Sequence, residues 1–303
     1  MRVAVAGGTG FLGSRLVQRL LDRGDEVVVF TRRPEKGTRT FPPPVRLARW
    51  NALDGPPAPT DLAGTDAVVN LLGVPVAGIW TRSRRELMRA SRVRGTRHLV
   101  EGLRTASVPP SVLLSSSAVG IYGSRGGEVL AEDADPGTGY LADLAVDWEA
   151  EARAAEALGT RVILLRTALP LAPGGGLLGV LVPATRWGGG AVLGDGTQWM
   201  SWLHIEDWLG LVLFLLDTST ATGAFNATGP RPVTQAEFAR TLAQVLGRPA
   251  PWRVPAALLR FALREAADET VLASQRAVPA KALGLEFRFR FPELEPALRD
   301  LLP

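Results

Sequence analysis

The sequence predicts an α/β fold, a doubly wound parallel sheet followed by a smaller C-terminal lobe. Three observations carry that expectation. Short apolar strands alternate with helix-length segments over the first 168 residues, a pattern that puts helices on both faces of a parallel sheet. The first strand runs straight into a glycine-rich turn, Ala6-Gly-Gly-Thr-Gly-Phe-Leu-Gly13, and then into a helix. At 303 residues and 46% apolar composition, the chain is too long for one small core and can fill a large one plus an added lobe.

The elements follow in order. Residues 2–6 are a β-type run, 11–23 have helical periodicity closed by Gly24, and 26–30 are a second apolar strand. Further strands are expected at 45–51, 67–72, 111–117 and 161–166, with helices over 82–106 and 140–158. The alternation breaks at Ala168, and residues 170–196 are rich in glycine and proline. A helix at 204–216 and a strand at 224–228 come next. From Thr234 the chain is mostly helical, with an arginine–aromatic stretch, Phe287-Arg-Phe-Arg-Phe291. Residues 1–168 and 199–229 are therefore assigned to the sheet domain, and 169–198 with 230–303 to the lobe.

Composition narrows the chemistry. The absence of cysteine excludes disulfides, thiolate metal sites and cysteine nucleophiles. His98 and His204 are the only histidines, so a histidine-rich metal site is excluded and no metal is expected. The net charge is only +4, and the two lysines, Lys36 and Lys281, stand among many arginines. That is compositional bias, not a nucleic-acid signal. The N-terminus enters the motif directly, leaving no room for a signal peptide, and the apolar run at 208–216 is too short to span a bilayer. A cytoplasmic protein with neither nucleic-acid nor membrane partner is expected.

The glycine turn is the most specific signal. Gly8-x-Gly10-x-x-Gly13 satisfies the dinucleotide fingerprint and Gly7-x-x-Gly10-x-x-Gly13 its reductase variant. Glycine permits the tight turn and lets backbone approach a pyrophosphate, while the helix N-terminus offers unpaired N–H groups. Strand, loop, helix and second strand fall in register, which makes the sheet Rossmann-like. The second strand ends Val28-Val-Phe-Thr-Arg-Arg33, with no carboxylate for a ribose 2′-hydroxyl. Arg32 and Arg33 suit a 2′-phosphate instead and favour NADP(H), though a solvated surface pair would read the same.

Here the sequence resembles the extended short-chain dehydrogenase/reductase superfamily, in particular its branch of epimerase family proteins or nucleoside-diphosphate-sugar epimerases. The resemblance rests on Gly7-Gly-Thr-Gly-Phe-Leu-Gly13, Asn70-Leu-Leu-Gly73, Ser115-Ser-Ser-Ala-Val-Gly-Ile-Tyr-Gly123, Leu165-Arg-Thr167, Trp202-Leu-His-Ile-Glu-Asp207 and Leu272-Ala-Ser-Gln-Arg276 with Pro279. It implies that Thr9, Gly10, Phe11 and Leu12 wrap a pyrophosphate, that Arg32 and Arg33 hold the adenosine end, and that Leu72 and Gly73 lie along the cofactor. Leu169 and Pro170 would present backbone to the nicotinamide amide. Ser117 would orient a substrate carbonyl or alcohol, or else bond nearby backbone, and three consecutive serines leave its register open.

The chain departs from that pattern at the proton relay. The superfamily's tyrosine is followed four residues later by lysine on one helix face, but Tyr140 is followed by Leu144. Three readings stay open: Tyr140 only starts a helix, or it is the acid/base with a cation from elsewhere, or Tyr122 contacts substrate. Arg92 in Ser91-Arg-Val-Arg-Gly-Thr96 is the best substitute cation, although Arg82, Arg84, Arg85, Arg89, Arg94 and Arg97 crowd the same segment. Trp80, Arg186, Trp199, Trp202 and His204 fall on the presumed substrate side, where packing explains tryptophans and a structural role explains His204 equally well. The expected function is an NADP-dependent oxidoreductase or epimerase-like enzyme acting on a small alcohol or carbonyl, which can be nucleotide-linked. The alternative is an NADP(H)-binding sensor or partner module with little catalysis. Homodimer formation is left open.

Overall fold

The structure, a computed structural model, describes residues 1–37, 41 and 43–302. Seven strands form its central sheet: β1 (Arg2–Ala6), β2 (Glu26–Thr31), β3 (Arg46–Arg49), β4 (Ala67–Asn70), β5 (Val112–Ala118), β6 (Arg161–Thr167) and β7 (Gly223–Ala227). In space they run β7-β6-β5-β4-β1-β2-β3, and every pairing is parallel. Val3, Ala4, Val5 and Ala6 of β1 are fully buried, as a strand covered on both faces requires. Chain order reverses across β1, where β2 and β4 leave to opposite sides. The ends of those strands therefore part and open a crevice.

Six helices matter for the site: α1 (Phe11–Asp22), α2 (Arg82–Arg89), α3 (Gly95–Thr105), α4 (Tyr140–Arg153), α5 (Gly176–Gly188) and α6 (Ile205–Asp217). The expected helix at 82–106 is α2 and α3 joined by a π-turn, Ala90–Arg94. One core packs Leu16, Leu20, Trp202, Trp208, Leu211 and Leu215 on one sheet face. A second packs Leu62, Leu99, Leu103 and Leu113 on the other. Within the glycine- and proline-rich stretch the chain forms α5, thirteen residues long, because the apolar run Leu177-Leu-Gly-Val-Leu-Val182 lies between the glycines that end it.

The late segments are tied to the sheet domain and to one another by short parallel strands. Leu169–Leu171 pairs with Trp202–His204 and Val129–Leu130 with Arg276–Ala277 across the two parts, while Ala191–Leu193 pairs with Trp252–Val254 within the lobe. The buried Asp207 carboxylate accepts the backbone N–H groups of Arg290 and Phe291 at 2.7 and 3.0 Å, which anchors the arginine–aromatic stretch.

A buried polar network closes the ends of β5, β6 and β7. Register places Ser117, Arg166 and Asn226 in one row across these strands. Glu149 of α4 accepts from Ser117 Oγ at 2.6 Å and pairs with Arg166 through two bonds, 2.8 and 3.0 Å. Arg166 also donates to the Tyr122 hydroxyl (2.9 Å) and the Glu132 carbonyl (3.0 Å), and Tyr122 donates to Asn226 Oδ1 (2.8 Å). Burial alone would lower the Arg166 pKa, but the Glu149 hydrogen bond and charge raise it overall.

Removing one partner of so enclosed a pair leaves the other charge without compensation. Glu149→Ala is expected to cost about 3–5 kcal/mol in urea unfolding, and Glu149→Leu with Arg166→Met to recover most of that. A single-variant loss below about 1 kcal/mol would mean that water, not the partner, solvates Arg166.

Candidate functional site

The crevice beside β1 is a cavity of about 620 Å³. Gly7, Thr9 and Gly10 form its floor, Arg32 and Arg33 one rim, and Leu72 and Gly73 the opposite wall. Gly7 adopts φ +80°, and a Cβ there would meet the Leu71 carbonyl oxygen at 2.6 Å. A Cβ on Gly13 would lie 2.3 Å from the Gly7 oxygen, so only glycine lets α1 approach the turn. Gly10 caps α1 without a side-chain bond, and the first turn holds no acidic residue. Its N–H groups and the helix dipole are thus presented to an anion. Leu12 packs against the core, and the Phe11 ring lies beneath Gly175 and Gly176 with Arg15 stacked 4.5 Å from its centroid.

Both rim arginines are exposed, and neither guanidinium forms an ion pair among the described residues. The Arg32 carbonyl accepts from Arg49, whose own charge pairs with Glu35, so the backbone is fixed while the two side chains remain available. Across from them lie Trp50, Asn51, Ala52 and Leu53, just past β3, with Trp50 edge-on to Phe30 at 5.2 Å. Sequence reasoning missed these four. Their signal was positional: β3 ends beside β2, on the strand edge that lines such a crevice.

Arg92 sits under the opposite wall. A Cβ on Gly73 would lie 3.0 Å from its guanidinium carbon. The guanidinium N–H groups donate to the Val74 carbonyl (3.0 Å) and the Met88 carbonyl (3.3 Å), and the group rests 5.2 Å from the Trp148 ring centroid. No carboxylate pairs with it among the described residues, and burial lowers its pKa to about 10. Tyr140 opens α4 nearby, packed edge-on against Trp80 at 5.4 Å, with its hydroxyl donating to the Arg85 carbonyl at 2.6 Å. Burial raises the phenol pKa, and the charges of Arg92, Arg89 and Arg85 partly oppose that rise. The helix start is held by the lobe. Glu269 accepts the N–H groups of Tyr140 and Leu141 at 3.0 and 2.7 Å, above a Gly139 at φ +112°.

The remaining candidates scatter. Ser117 is buried with its proton given to Glu149, and no hydrogen bond joins it to Tyr140. Tyr122 is fully buried between Asn226 and Arg166. Leu169 is half-buried and donates its N–H to Ser201, outside the cavity lining. Trp199 lines a second cavity of about 750 Å³ between the sheet domain and the lobe, with Arg276 stacked at 4.1 Å. His204 is fully buried, stacked on Phe291 at 3.9 Å, and its Nδ1 accepts from Glu206 N. Burial lowers its pKa although Nε2 lies 3.2 Å from Asp300.

Comparison with known proteins places this architecture. The NAD dependent epimerase/dehydratase family model matches residues 3–228. The chain belongs to that family. A domain of unknown function matches residues 254–301, the end of the lobe. Epimerase family protein Mb2239 of Mycobacterium bovis is 37% identical over 297 residues, 98% of this chain and 96% of the relative. The chloroplastic SDR39U1 homolog of Arabidopsis thaliana is 34% identical, covering 100% of this chain and 87% of its own length. The crystal structure of human epimerase family protein SDR39U1 with NADPH superposes with a TM-score of 0.87 at 30% identity, covering 99% of both chains. UDP-glucuronic acid 4-epimerase from Bacillus cereus, at 17% identity and TM-score 0.80, shares the fold.

The phosphate cradle has a direct test. A Cβ on Gly10 meets only the Gly7 oxygen, at 3.1 Å, so valine would project branches into the cavity without breaking the core. Gly10→Val is expected to abolish nicotinamide-nucleotide binding in calorimetry while circular dichroism stays unchanged. Unaltered binding by the folded variant would remove the loop from the site.

Proposed function

We propose that the protein is an NADP(H)-dependent oxidoreductase that reduces a small carbonyl compound, nucleotide-linked ones included. The carrying observation is the pair of exposed guanidinium groups, Arg32 and Arg33, on the rim of the glycine-floored cavity where β2 ends without a carboxylate. The NADPH in the human relative's crystal supports the same reading. The residues fit the cofactor: glycines keep the floor clear, α1 offers unpaired N–H groups to a pyrophosphate, and the arginines suit a 2′-phosphate.

When bound, NADPH supplies the hydride. The chain's part is the proton. Tyr140 keeps its proton at neutral pH, as a phenol with an ordinary pKa of about 10 does, and burial raises that pKa further, which suits a general acid. To serve, its hydroxyl leaves the Arg85 carbonyl and donates to the substrate oxygen. Arg92 and its neighbours then stabilise the phenolate by charge proximity in place of the lysine absent at Leu144. Reduction is thereby favoured over oxidation near neutrality.

One observation favours the second reading, a cofactor-binding module with little turnover. The phenol is already engaged by backbone, and Leu144 is buried against Trp148 where a relay lysine would stand.

Two experiments decide. Arg32→Asp is expected to weaken NADPH binding at least tenfold, corresponding to about 1.5–3 kcal/mol for a lost charged contact. Equal NAD and NADP affinity in the unmutated protein would defeat the cofactor assignment. For the chemistry, NADPH is screened against quinones and diketones. Reduction is expected to be flat from about pH 6 to 9, whereas alcohol oxidation rises only as the phenol ionises above its ordinary pKa of about 10. Tyr140→Phe should remove turnover and spare NADPH affinity, and Arg92→Ala should move the oxidation limb to higher pH. Turnover by Tyr140→Phe at the unmutated rate would make the tyrosine structural.

A further inference from the structure

Helix α5 turns an apolar stripe outward. Val180, Pro183, Ala184 and Trp187 recur at i, i+3, i+4 and i+7, and all four are exposed, Val180 at 70% and Trp187 at 93%. Leu178 and Thr185 occupy the buried side of the same helix. None of the four stripe residues lines either cavity. A tryptophan left so bare beside an aliphatic stripe is unusual for a surface facing only water.

The adjoining chain extends the patch. Trp252, 60% exposed, donates its indole N–H to the Gly188 carbonyl at 2.5 Å, so its ring sits at the C-terminal end of α5. Gly190 N donates to the Pro249 carbonyl at 2.8 Å, which brings residues 248–253 against the same end. Arg186 and Arg253 are the sequence neighbours of the two tryptophans, and Arg248 belongs to the same segment. All three are exposed, and none forms an ion pair among the described residues. Asp195 lies within electrostatic reach of Arg253, but its carboxylate accepts from Thr197.

We propose that this face rests on the surface of an anionic lipid bilayer, with the α5 stripe and both tryptophans in the interface and the arginines against lipid phosphates. The occupant follows from the chemistry. Helix α5 is thirteen residues, about 20 Å long, and no described helix is long and apolar enough to cross a membrane, so the contact lies along the surface. Tryptophan with flanking arginine matches an interface that is apolar below and negatively charged above. Nucleic acid would use the cations and the rings but give the aliphatic stripe nothing to pack on. A second copy meeting this face by two-fold symmetry would bring like arginines together. The sequence-based expectation of no membrane partner rested on the lack of a spanning segment, which a surface contact does not need.

The full chain is mixed with vesicles of phosphatidylglycerol and phosphatidylcholine, or of phosphatidylcholine alone, and sedimented. The expected result is binding to the anionic vesicles only, released as salt rises toward about 0.5 M. Trp187→Ser with Trp252→Ser should lower the bound fraction about tenfold, and Arg186→Ala or Arg253→Ala roughly fivefold each. None of these positions lines the cofactor cavity, so NADPH affinity should stay at the unmutated value and report an intact fold, while loss of the Trp252–Gly188 bond lowers the unfolding midpoint of the tryptophan variant only slightly. The proposal is overturned if anionic vesicles leave the protein in the supernatant, or if the double tryptophan variant binds them undiminished. It is equally overturned if light scattering finds a dimer that the tryptophan variant dissociates, or if a single-stranded oligonucleotide, and not the vesicles, retains the protein.

Discussion

The Glu149–Arg166 pair sets the plan of the molecule. Two charges in so dry a place are tolerable only when the remaining donors and acceptors are met, and Ser117, Tyr122 and the Glu132 carbonyl meet them, with Asn226 in turn accepting from Tyr122. The requirement reaches into the lobe, because Glu132 also accepts from Asn226 N and Lys281 N, and Asn226 donates to the carbonyls of Leu130 and Val278. One half of the sheet edge is thereby filled with fixed polar contacts. The other half, at β1, β2, β3 and β4, stays open as the cavity.

That division explains why part of the candidate site was legible in the sequence. The cradle depends on local spacing: a glycine at 13 must pass a carbonyl six residues earlier, and no distant residue has to be known. The same holds for the arginines that end β2. The strands were readable because both-face burial writes continuous Val and Ala runs. Helix α5 was obscured, since glycine and proline punctuate its sequence and only packing of Leu178 and Thr185 commits it to a helix. The partners of the candidate catalytic residues Ser117 and Tyr140 were illegible for a different reason. Ser117 finds its acceptor 32 residues away and Tyr140 its acceptor 55 residues back, and neither spacing is a motif.

Arg92 is held quite differently from a lysine on the tyrosine's own helix. A lysine on the same helix as the tyrosine would bring a compact charge with its own flexible stem. The guanidinium instead comes from the π-turn between α2 and α3, wedged between Gly73 and the Trp148 ring, with carbonyls as its partners. Because Gly73 also lines the cavity, the cation and the cavity wall share one support. Ser91 adds a second tie, accepting the Val74 N–H at 3.3 Å.

Glu269 gives the lobe a hold on the far side of the molecule. Gly139 has no side chain to cap α4, so the two leading N–H groups of that helix depend on a carboxylate 128 and 129 residues later in the chain. The tyrosine is the first residue of the helix, and its orientation is thus inherited from how the lobe is seated. The two portions of the chain are consequently not interchangeable parts. A lobe borrowed from a relative would have to bring an acid to the same spot, or the helix would fray at the residue that carries the phenol.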